Sequence, residues 1–249
     1  MTTLFGGLIA YGGFTIITNS STMNKMVNMT MSSLKDKYEL KELDIGEFKK
    51  IVVKKILPFY TKLYTIKNLG TLSVMTLNIG IMNVITININ SFSKDLPQMT
   101  LDFVCMLNKR ILYFEIFDFM INKEEEKYKN FLKELKEINE KNSNLKKKKI
   151  APKWHHAYLS GEINKIGNVM NDNQLLTILK ETLEAYIKYS EKLSDLNDDD
   201  IKKKKKFYEE FADNLVKKGG NSINAFIKSI GEKKTHEFLD KAFYGYSFC

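Results

Sequence analysis

Residues 95–120 read DLPQMTLDFVCMLNKRILYFEIFDFM, and this stretch decides the predicted fold. Residues 98–106 and 111–120 are rich in β-branched and aromatic side chains, which are typical of strands. The four residues between them, 107–110, form a link too short for the crossover that parallel strands need. The stretch therefore predicts two antiparallel strands joined as a hairpin.

Two more segments upstream have the same strand-like composition. Residues 71–79 and 81–90 are rich in β-branched side chains, and Gly80 separates them. Together with the hairpin they make four consecutive strands with short links. This arrangement predicts an antiparallel sheet.

Helical periodicity occurs both before and after these strands. Residues 47–63 predict a helix that Pro58 ends or kinks, since one stripe holds Phe48, Ile51, Val52 and Ile56. The later helical segments are 123–142, 173–193, one that starts at the acidic run 198–200, 223–230 and 233–243. A sheet with helices before and after it predicts an α+β fold, arranged as a layered sandwich, with residues 36–249 forming a single domain.

The composition of the chain disfavours several classes of function. The chain has 249 residues, 43% of them hydrophobic, and the spacing of Cys105 and Cys249 suits neither a disulfide framework nor a zinc site. The net charge of +9 comes almost wholly from lysine, because Arg110 is the only arginine, and this disfavours nucleic-acid binding. An acidic protein partner suits the charge better. The lysine runs 146–149 and 202–206 are interpreted as solvated faces or loops.

The N-terminal 35 residues leave two interpretations open. Residues 4–18 are apolar, but fifteen residues fall short of the roughly 20 that span a bilayer, so we expect no integral membrane segment. Residues 19–35 are rich in Ser, Thr, Asn and Met, and the first acidic residue is Asp36. Residues 1–35 are therefore either an organelle-targeting leader or a buried N-terminal element followed by a loop, as in a cytoplasmic protein.

Three stretches together resemble the ferredoxin-dependent bilin reductases. They are 95–120, already quoted, 175–190 (LLTILKETLEAYIKYS) and 201–244 (IKKKKKFYEEFADNLVKKGGNSINAFIKSIGEKKTHEFLDKAFY), and they fall within about the last 155 residues. The resemblance implies a three-layer α/β/α sandwich with a linear tetrapyrrole between the sheet and the C-terminal helices. It also implies that no metal or flavin is bound and that ferredoxin donates single electrons while the protein supplies protons. A divergent, monomeric member is expected, and it would lie in a plastid-like organelle if residues 1–35 are a leader.

Asp102 is the best candidate for a chemically active residue. Strand alternation places it opposite the apolar face that is formed by Met99, Leu101, Phe103 and Cys105. A half-buried carboxyl group has a raised pKa and can donate a proton. Its distance from the preceding 95–97 segment also matches the catalytic aspartate of the resembled family. The alternative is an aspartate that bonds neighbouring backbone or a lysine.

Other candidate residues share this face or lie near it. We expect Thr86, Asn88, Thr100 and Val104 to contact a ligand, although exposed polar positions would also explain Asn88. Glu115 and Asp118 lie on opposite faces of the next strand, so at most one of them can reach Asp102, and sheet-edge salt bridges are expected for both.

The segment Trp154-His155-His156 follows Pro152 in a region without helical or strand patterning. His156 could donate a proton, while Trp154 and His155 could contact the ligand; surface or packing roles are the alternative. Adjacent histidines on an extended chain point in opposite directions, so no metal site is predicted.

The sequence departs from the resembled family at two places. Ile85 and Thr86 stand where many members carry His or Asn, and the segment 219–221 lacks the family's second aspartate, with Asp213 one helical stretch earlier as the substitute candidate.

The predicted function is ferredoxin-dependent reduction of a biliverdin-type bilin. Two alternatives remain open, namely a tetrapyrrole-binding or scaffold protein that has lost catalysis, and a lysine-rich interaction module unrelated to the family. No glycine-rich phosphate loop, nucleophile elbow or HExxH motif occurs, which disfavours nucleotide hydrolysis, acyl transfer and zinc proteolysis.

Overall fold

A computed structural model describes the backbone of residues 2–249 and the side chains of residues 17–220 and 222–249. In chain order its elements are α1 (Thr2–Lys35), β1 (Leu40–Leu43), β2 (Lys50–Val53), β3 (Leu57–Ile66), β4 (Gly70–Asn78), β5 (Met82–Ser91), β6 (Gln98–Met106), β7 (Lys109–Phe117), α2 (Glu125–Lys141), β8 (Leu159–Asn168), α3 (Asp172–Ser190), α4 (Asp198–Lys218), α5 (Asn221–Ile230) and α6 (Glu232–Phe238). A π-helical segment, Leu239–Tyr244, continues α6.

The described strands form one antiparallel sheet in the order β1-β3-β4-β5-β6-β7-β8, with β2 also pairing with β3. The predicted hairpin is confirmed, since β6 and β7 pair from Met106 opposite Lys109 to Gln98 opposite Phe117. Only two residues connect them, and Leu107 takes a positive φ of 51° at this tight turn. The predicted antiparallel arrangement of the four central strands is also confirmed.

The predicted helix over residues 47–63 is wrong. A 3-10 turn at Gly46–Lys49 is followed by β2 and β3, which pair as a hairpin. Lys54 and Lys55 form its turn with φ values of 51° and 65°. The helical stripe was misleading because burial alternates residue by residue: Ile51 and Val53 are buried while Val52 is exposed.

The predicted three-layer α/β/α sandwich is confirmed. Helices α1, α2 and α3 cover one face of the sheet in a continuous apolar core to which Ile87, Leu101 and Phe114 contribute. Helices α4 to α6 and the π-helical segment lie on the opposite face and pack in a second core around Phe92, Phe119 and Tyr208. The apolar face predicted for β6 belongs to the first core, so its other face turns towards the C-terminal helices.

Hydrogen bonds attach the C-terminal segment to one half of the sheet. The hydroxyl groups of Thr71 and Ser73 donate to the carbonyl oxygens of Tyr244 and Ala242, and the Asn90 amide donates to the carbonyl oxygen of Tyr244 at 3.1 Å. These bonds satisfy polar groups that would otherwise be buried without partners.

Helix α4 begins as its sequence predicts, but its lysine run is not wholly solvated. The Asn197 side chain caps the helix by accepting bonds from the backbone amides of Asp199 and Asp200, and the acidic run lies in the first turn. Lys204, however, is fully buried, and its Nζ donates to the carbonyl oxygens of Lys94 and Leu96 at 2.8 and 2.7 Å. The interpretation of this run as a solvated face is therefore wrong at one position.

The described side chains of α1 include core residues. Met26 and Leu34 are fully buried with the first core, and the Thr22 hydroxyl donates to Asp172. Among the described residues, none of the helices has the length and apolar character needed to cross a membrane.

Candidate functional site

A cleft of about 600 Å³ opens over the face of the sheet that carries Asp102. Its floor is formed by β4 to β7, one wall by α5, and the other wall by residues 148–156. A recess of about 190 Å³ adjoins it beneath α4 and the π-helical segment. The residues that border both spaces include Met75, Thr86, Asp102, Glu115, His155 and Phe226.

Asp102 lies on the floor of the cleft and is partly buried. Its register partner Thr86 donates a hydrogen bond from Oγ1 to Asp102 Oδ1 at 2.6 Å. Burial raises the pKa of the Asp102 carboxyl group, while the bond from Thr86 opposes that rise by favouring the charged form. The carboxyl group therefore holds its proton at higher pH than an exposed aspartate.

Glu115 is a second carboxyl group on this floor that the sequence reasoning assigned elsewhere. It is only 8% exposed, its Oε1 has no hydrogen-bond partner, and it makes no salt bridge with the described lysines. Burial, followed by the charge of Asp102, raises its pKa to about 7. The expected sheet-edge salt bridge is thus wrong for Glu115, whereas Asp118 does pair with Lys123.

The sequence contained a signal for this placement. With a two-residue hairpin turn, Glu115 lies opposite Thr100 and Asp102 lies opposite Tyr113, so both carboxyl groups share one face as diagonal neighbours. The predicted four-residue link, 107–110, shifts this register by two residues and would place Glu115 directly opposite Asp102, so it too puts both carboxyl groups on one face.

Replacing Glu115 by Gln should stabilise the protein at alkaline pH. The folded-state pKa of about 7 lies above the ordinary value of 4.5, so the stability that the bound proton contributes is lost as pH rises through about 7. Glu115→Gln cannot ionise, and should exceed the parent by about 3 kcal/mol near pH 8.5 but by less than about 0.5 kcal/mol near pH 4.5. Urea denaturation at the two pH values measures this.

Glu162→Gln is the matched control, because Glu162 is directly opposite Glu115 in the register but exposed. Its stability difference from the parent should be small and similar at both pH values. Equal stabilities of Glu115→Gln and the parent near pH 8.5 would contradict the buried carboxyl group.

A polar network continues from Thr100 into the recess. The Thr100 hydroxyl donates to Asn88 Oδ1 at 2.9 Å and accepts from Gln98 Nε2 at 3.1 Å. Asn88 Nδ2 and Gln98 Oε1 are buried without hydrogen-bond partners. Buried unpaired amide atoms are costly, and these two provide a donor and an acceptor beside the recess. Val104 borders the outer cleft.

The segment Trp154–Tyr158 forms a 3-10 turn at the mouth of the cleft. The expectation that its two histidines lie on an extended chain and point in opposite directions is therefore wrong. His155 and His156 both border the cleft, and their ring centroids are 4.9 Å apart. Burial, then the charges of His156 and Lys153, lowers the pKa of His155 to about 4, so its imidazole is neutral at pH 7.

Trp154 attaches this turn to α4 and the residue that follows it. Its Nε1 donates to the carbonyl oxygen of Gly219 at 3.1 Å, its ring centroid lies 5.4 Å from that of Phe211, and Lys218 Nζ lies 4.9 Å from the ring. The structure therefore places Trp154 against α4, where it positions the histidine turn.

Basic residues surround the mouth of the cleft. Lys54, Lys148, Lys149 and Lys153 all border it. The loop that carries Lys148 is attached to β8, since the Asn164 side chain accepts from the Lys148 amide and donates to its carbonyl oxygen. This arrangement favours a ligand or partner with negative charge at the mouth.

Asp213 lies outside the cleft. It is on the outer side of α4, where its Oδ1 lies 2.7 Å from Nε2 of His236, and both residues border a separate surface groove. The structure therefore brings Asp102, Thr86, Thr100, Val104, His155 and His156 together in the cleft and recess but does not bring Asp213 to them.

The fold and the cleft define a class of structure, an α/β/α sandwich with a ligand-sized space between its antiparallel sheet and its C-terminal helices. The crystal structure of phytochromobilin synthase from tomato, in complex with biliverdin, has this fold: the TM-score is 0.71, the sequence identity is 11%, and the match covers 90% of this chain and 83% of that chain. No family model matches the sequence, and no curated protein does. The likeness therefore shows the fold.

Proposed function

We propose that the protein binds a linear tetrapyrrole of the biliverdin type in the cleft and reduces it, with Asp102 as a proton donor. The observation that carries this proposal is a carboxyl group with a raised pKa on the floor of a cleft of about 600 Å³. That volume lies in the ordinary range for small-molecule sites. A solved structure of the same fold holds biliverdin, which supports this choice of ligand.

The cleft supplies protons in the number that the reaction needs. Reducing one double bond of a bilin takes two electrons and two protons. Asp102 and Glu115 share the floor, and burial raises the pKa of both, so each can hold a proton at a pH where an exposed carboxyl group would have lost it. We assign the first transfer to Asp102, because its Thr86 bond orients the carboxyl group.

The charges around the cleft suit both the ligand and the electron donor. The propionate groups of a biliverdin-type bilin are negatively charged, and Lys148, Lys149 and Lys153 are available to pair with them at the mouth. We propose that electrons arrive singly from a reduced ferredoxin. An acidic ferredoxin is attracted by the net charge of +9, which speeds encounter at low ionic strength.

Titration of the purified protein with biliverdin tests ligand binding before turnover. We expect a saturable shift of the biliverdin absorption bands at one equivalent. Val104→Trp, which fills the cleft, should weaken binding at least about tenfold, because a wrongly shaped pocket wall forfeits contacts along the ligand. Val52→Trp is the matched control, since Val52 is exposed and does not border the cleft.

The outcome of this titration decides between the proposals. An unchanged spectrum at high protein concentration would reject a tetrapyrrole ligand altogether. Equal binding by the parent and Val104→Trp would place the ligand elsewhere on the molecule. With binding in place, reduced ferredoxin should bleach or shift the bound spectrum.

A binding protein that has lost catalysis is the second candidate. The position of Asp213 outside the cleft favours it, because the predicted substitute for the family's second aspartate does not reach the ligand site. In that case, biliverdin would shift the spectrum, yet reduced ferredoxin would leave it unchanged. Measured turnover by the parent protein removes this candidate.

A further inference from the structure

The 3-10 turn at the mouth of the cleft brings two histidines to a buried glutamate. One ligand atom each from Glu115, His155 and His156 lies within 4.8 Å of the other two. Within the described part of the chain, no other trio of His, Cys, Asp or Glu side chains comes together in this way. The three residues belong to two separate elements, β7 and the turn at Trp154–Tyr158, so only the tertiary structure assembles them.

Two of these side chains have atoms that the protein leaves without partners. Glu115 is 8% exposed and its Oε1 accepts no hydrogen bond, and the buried Nδ1 of His155 is likewise unpaired. Buried polar atoms are nearly always satisfied, so an unpaired oxygen and an unpaired nitrogen in one cluster indicate a group that binds them both.

The protein holds the ligand atoms on rigid supports. Glu115 is in the middle of β7, with a strand on each side of it. The histidine turn is held by the bond from Trp154 Nε1 to Gly219. The two imidazole rings are inclined at 79°, so they need not stack and can direct nitrogens towards a shared point.

We propose that Glu115, His155 and His156 form a binding site for one divalent transition-metal ion, with Zn²⁺ as the best match. Two imidazole nitrogens and one carboxylate oxygen are a ligand set that zinc uses where it keeps a fourth position open. Mg²⁺ and Ca²⁺ prefer oxygen ligands and suit this set poorly. The open position lies at the cleft, which Glu115 and both histidines border together with Asp102.

Binding requires a small local contraction. Ligand atoms around tetrahedral Zn²⁺ lie about 3.3 Å apart, as its bond lengths of about 2.0 Å dictate, so side-chain rotation must close the present separations. His156 can supply this rotation, because it is half-exposed and its Nδ1 accepts only a long bond of 3.3 Å from the Lys153 amide. The metal replaces that bond.

Metal titration of the chelator-treated protein, without any bilin, tests the site. Co²⁺ serves as the spectroscopic probe, because a four-coordinate Co²⁺ site absorbs visible light far more strongly than hydrated Co²⁺, and Zn²⁺ should displace it. We expect one equivalent to bind. His156→Ala and Glu115→Gln should each weaken binding by about tenfold or more, since the first removes a ligand nitrogen and the second replaces a charged carboxylate oxygen by a neutral amide oxygen.

His236→Ala is the control, because His236 pairs with Asp213 away from the cleft and should leave the affinity unchanged. Glu115→Gln preserves the shape of its side chain, so the test does not depend on a variant that fails to fold. Absence of binding by the parent, or equal binding by the parent, His156→Ala and Glu115→Gln, overturns the proposal. A bound metal ion would displace the Glu115 proton, so at Glu115 the metal site and the proposed proton transfer exclude each other. Because the titration contains no tetrapyrrole, absence of metal binding would leave the proposed reductase function standing.

Discussion

Asp102→Asn should lower the rate of bilin reduction by about 100- to 10,000-fold, the range over which a positioned proton donor acts. Asparagine keeps the size of the side chain and an oxygen that can accept the 2.6 Å bond from Thr86, but it has no acidic proton to donate. The affinity for biliverdin should therefore change little. Single-turnover reduction by chemically reduced ferredoxin measures the rate, and spectral titration measures the affinity.

Thr86→Val provides a second measurement that a structural role for Asp102 would not affect. The Thr86 bond favours the charged carboxylate, so its loss should raise the pKa of Asp102 further. The alkaline limb of the pH–rate profile should then move to higher pH. If Asp102→Asn reduces bilin as fast as the parent, or if Thr86→Val leaves the profile in place, Asp102 is not the proton donor.

Lys204→Met should reduce the free energy of unfolding by about 3–5 kcal/mol, the usual cost of removing one partner from a buried ion pair. Burial lowers the pKa of Lys204 to about 8, so the side chain is still mostly charged at pH 7. Its Nζ contacts Asp95 at 3.4 Å and donates to two backbone carbonyl groups next to that residue. Methionine keeps the length of the stem but leaves all three acceptors without this donor.

Urea denaturation at pH 7 measures this loss. Lys206→Met is the matched control, because Lys206 lies on the same helix, is exposed, and pairs only weakly with Glu210 at 3.9 Å. The free energy of unfolding of Lys206→Met should differ from that of the parent by no more than about 0.5 kcal/mol. If both variants lose equally little stability, the buried contacts of Lys204 do not hold α4 against the turn that precedes β6.

Much of the fold follows from local patterns in the sequence. The hairpin of β6 and β7 was predictable because a short link permits only antiparallel pairing, and strand alternation placed Asp102 opposite the apolar face. The failure at residues 47–63 has a local cause as well. The spacing of the apolar residues in this segment fits both the helical and the strand period. The turn at Lys54 and Lys55 depends on positive φ values that lysine rarely adopts.

The sequence contains a signal for the burial of two charged side chains, one in the helical periodicity of α4 and one in the register of a hairpin. Lys204 falls on the same helical stripe as Tyr208 and Ala212, so periodicity within α4 could have identified it inside a run of lysines. Glu115 could have been placed beside Asp102 by counting across a two-residue turn. Both signals were present, but composition alone favoured solvent for each.

The sequence by itself determined the four central strands, the helical segments that follow them and the face on which Asp102 lies, because these depend on residues close together in the chain. Only the tertiary structure decided that Glu115 meets His155 and His156, that Trp154 supports their turn, and that Asp213 lies apart from the cleft. Those contacts depend on how the C-terminal layer and the 148–156 loop dock onto the sheet. Docking is set by packing between distant segments, to which no local pattern is sensitive.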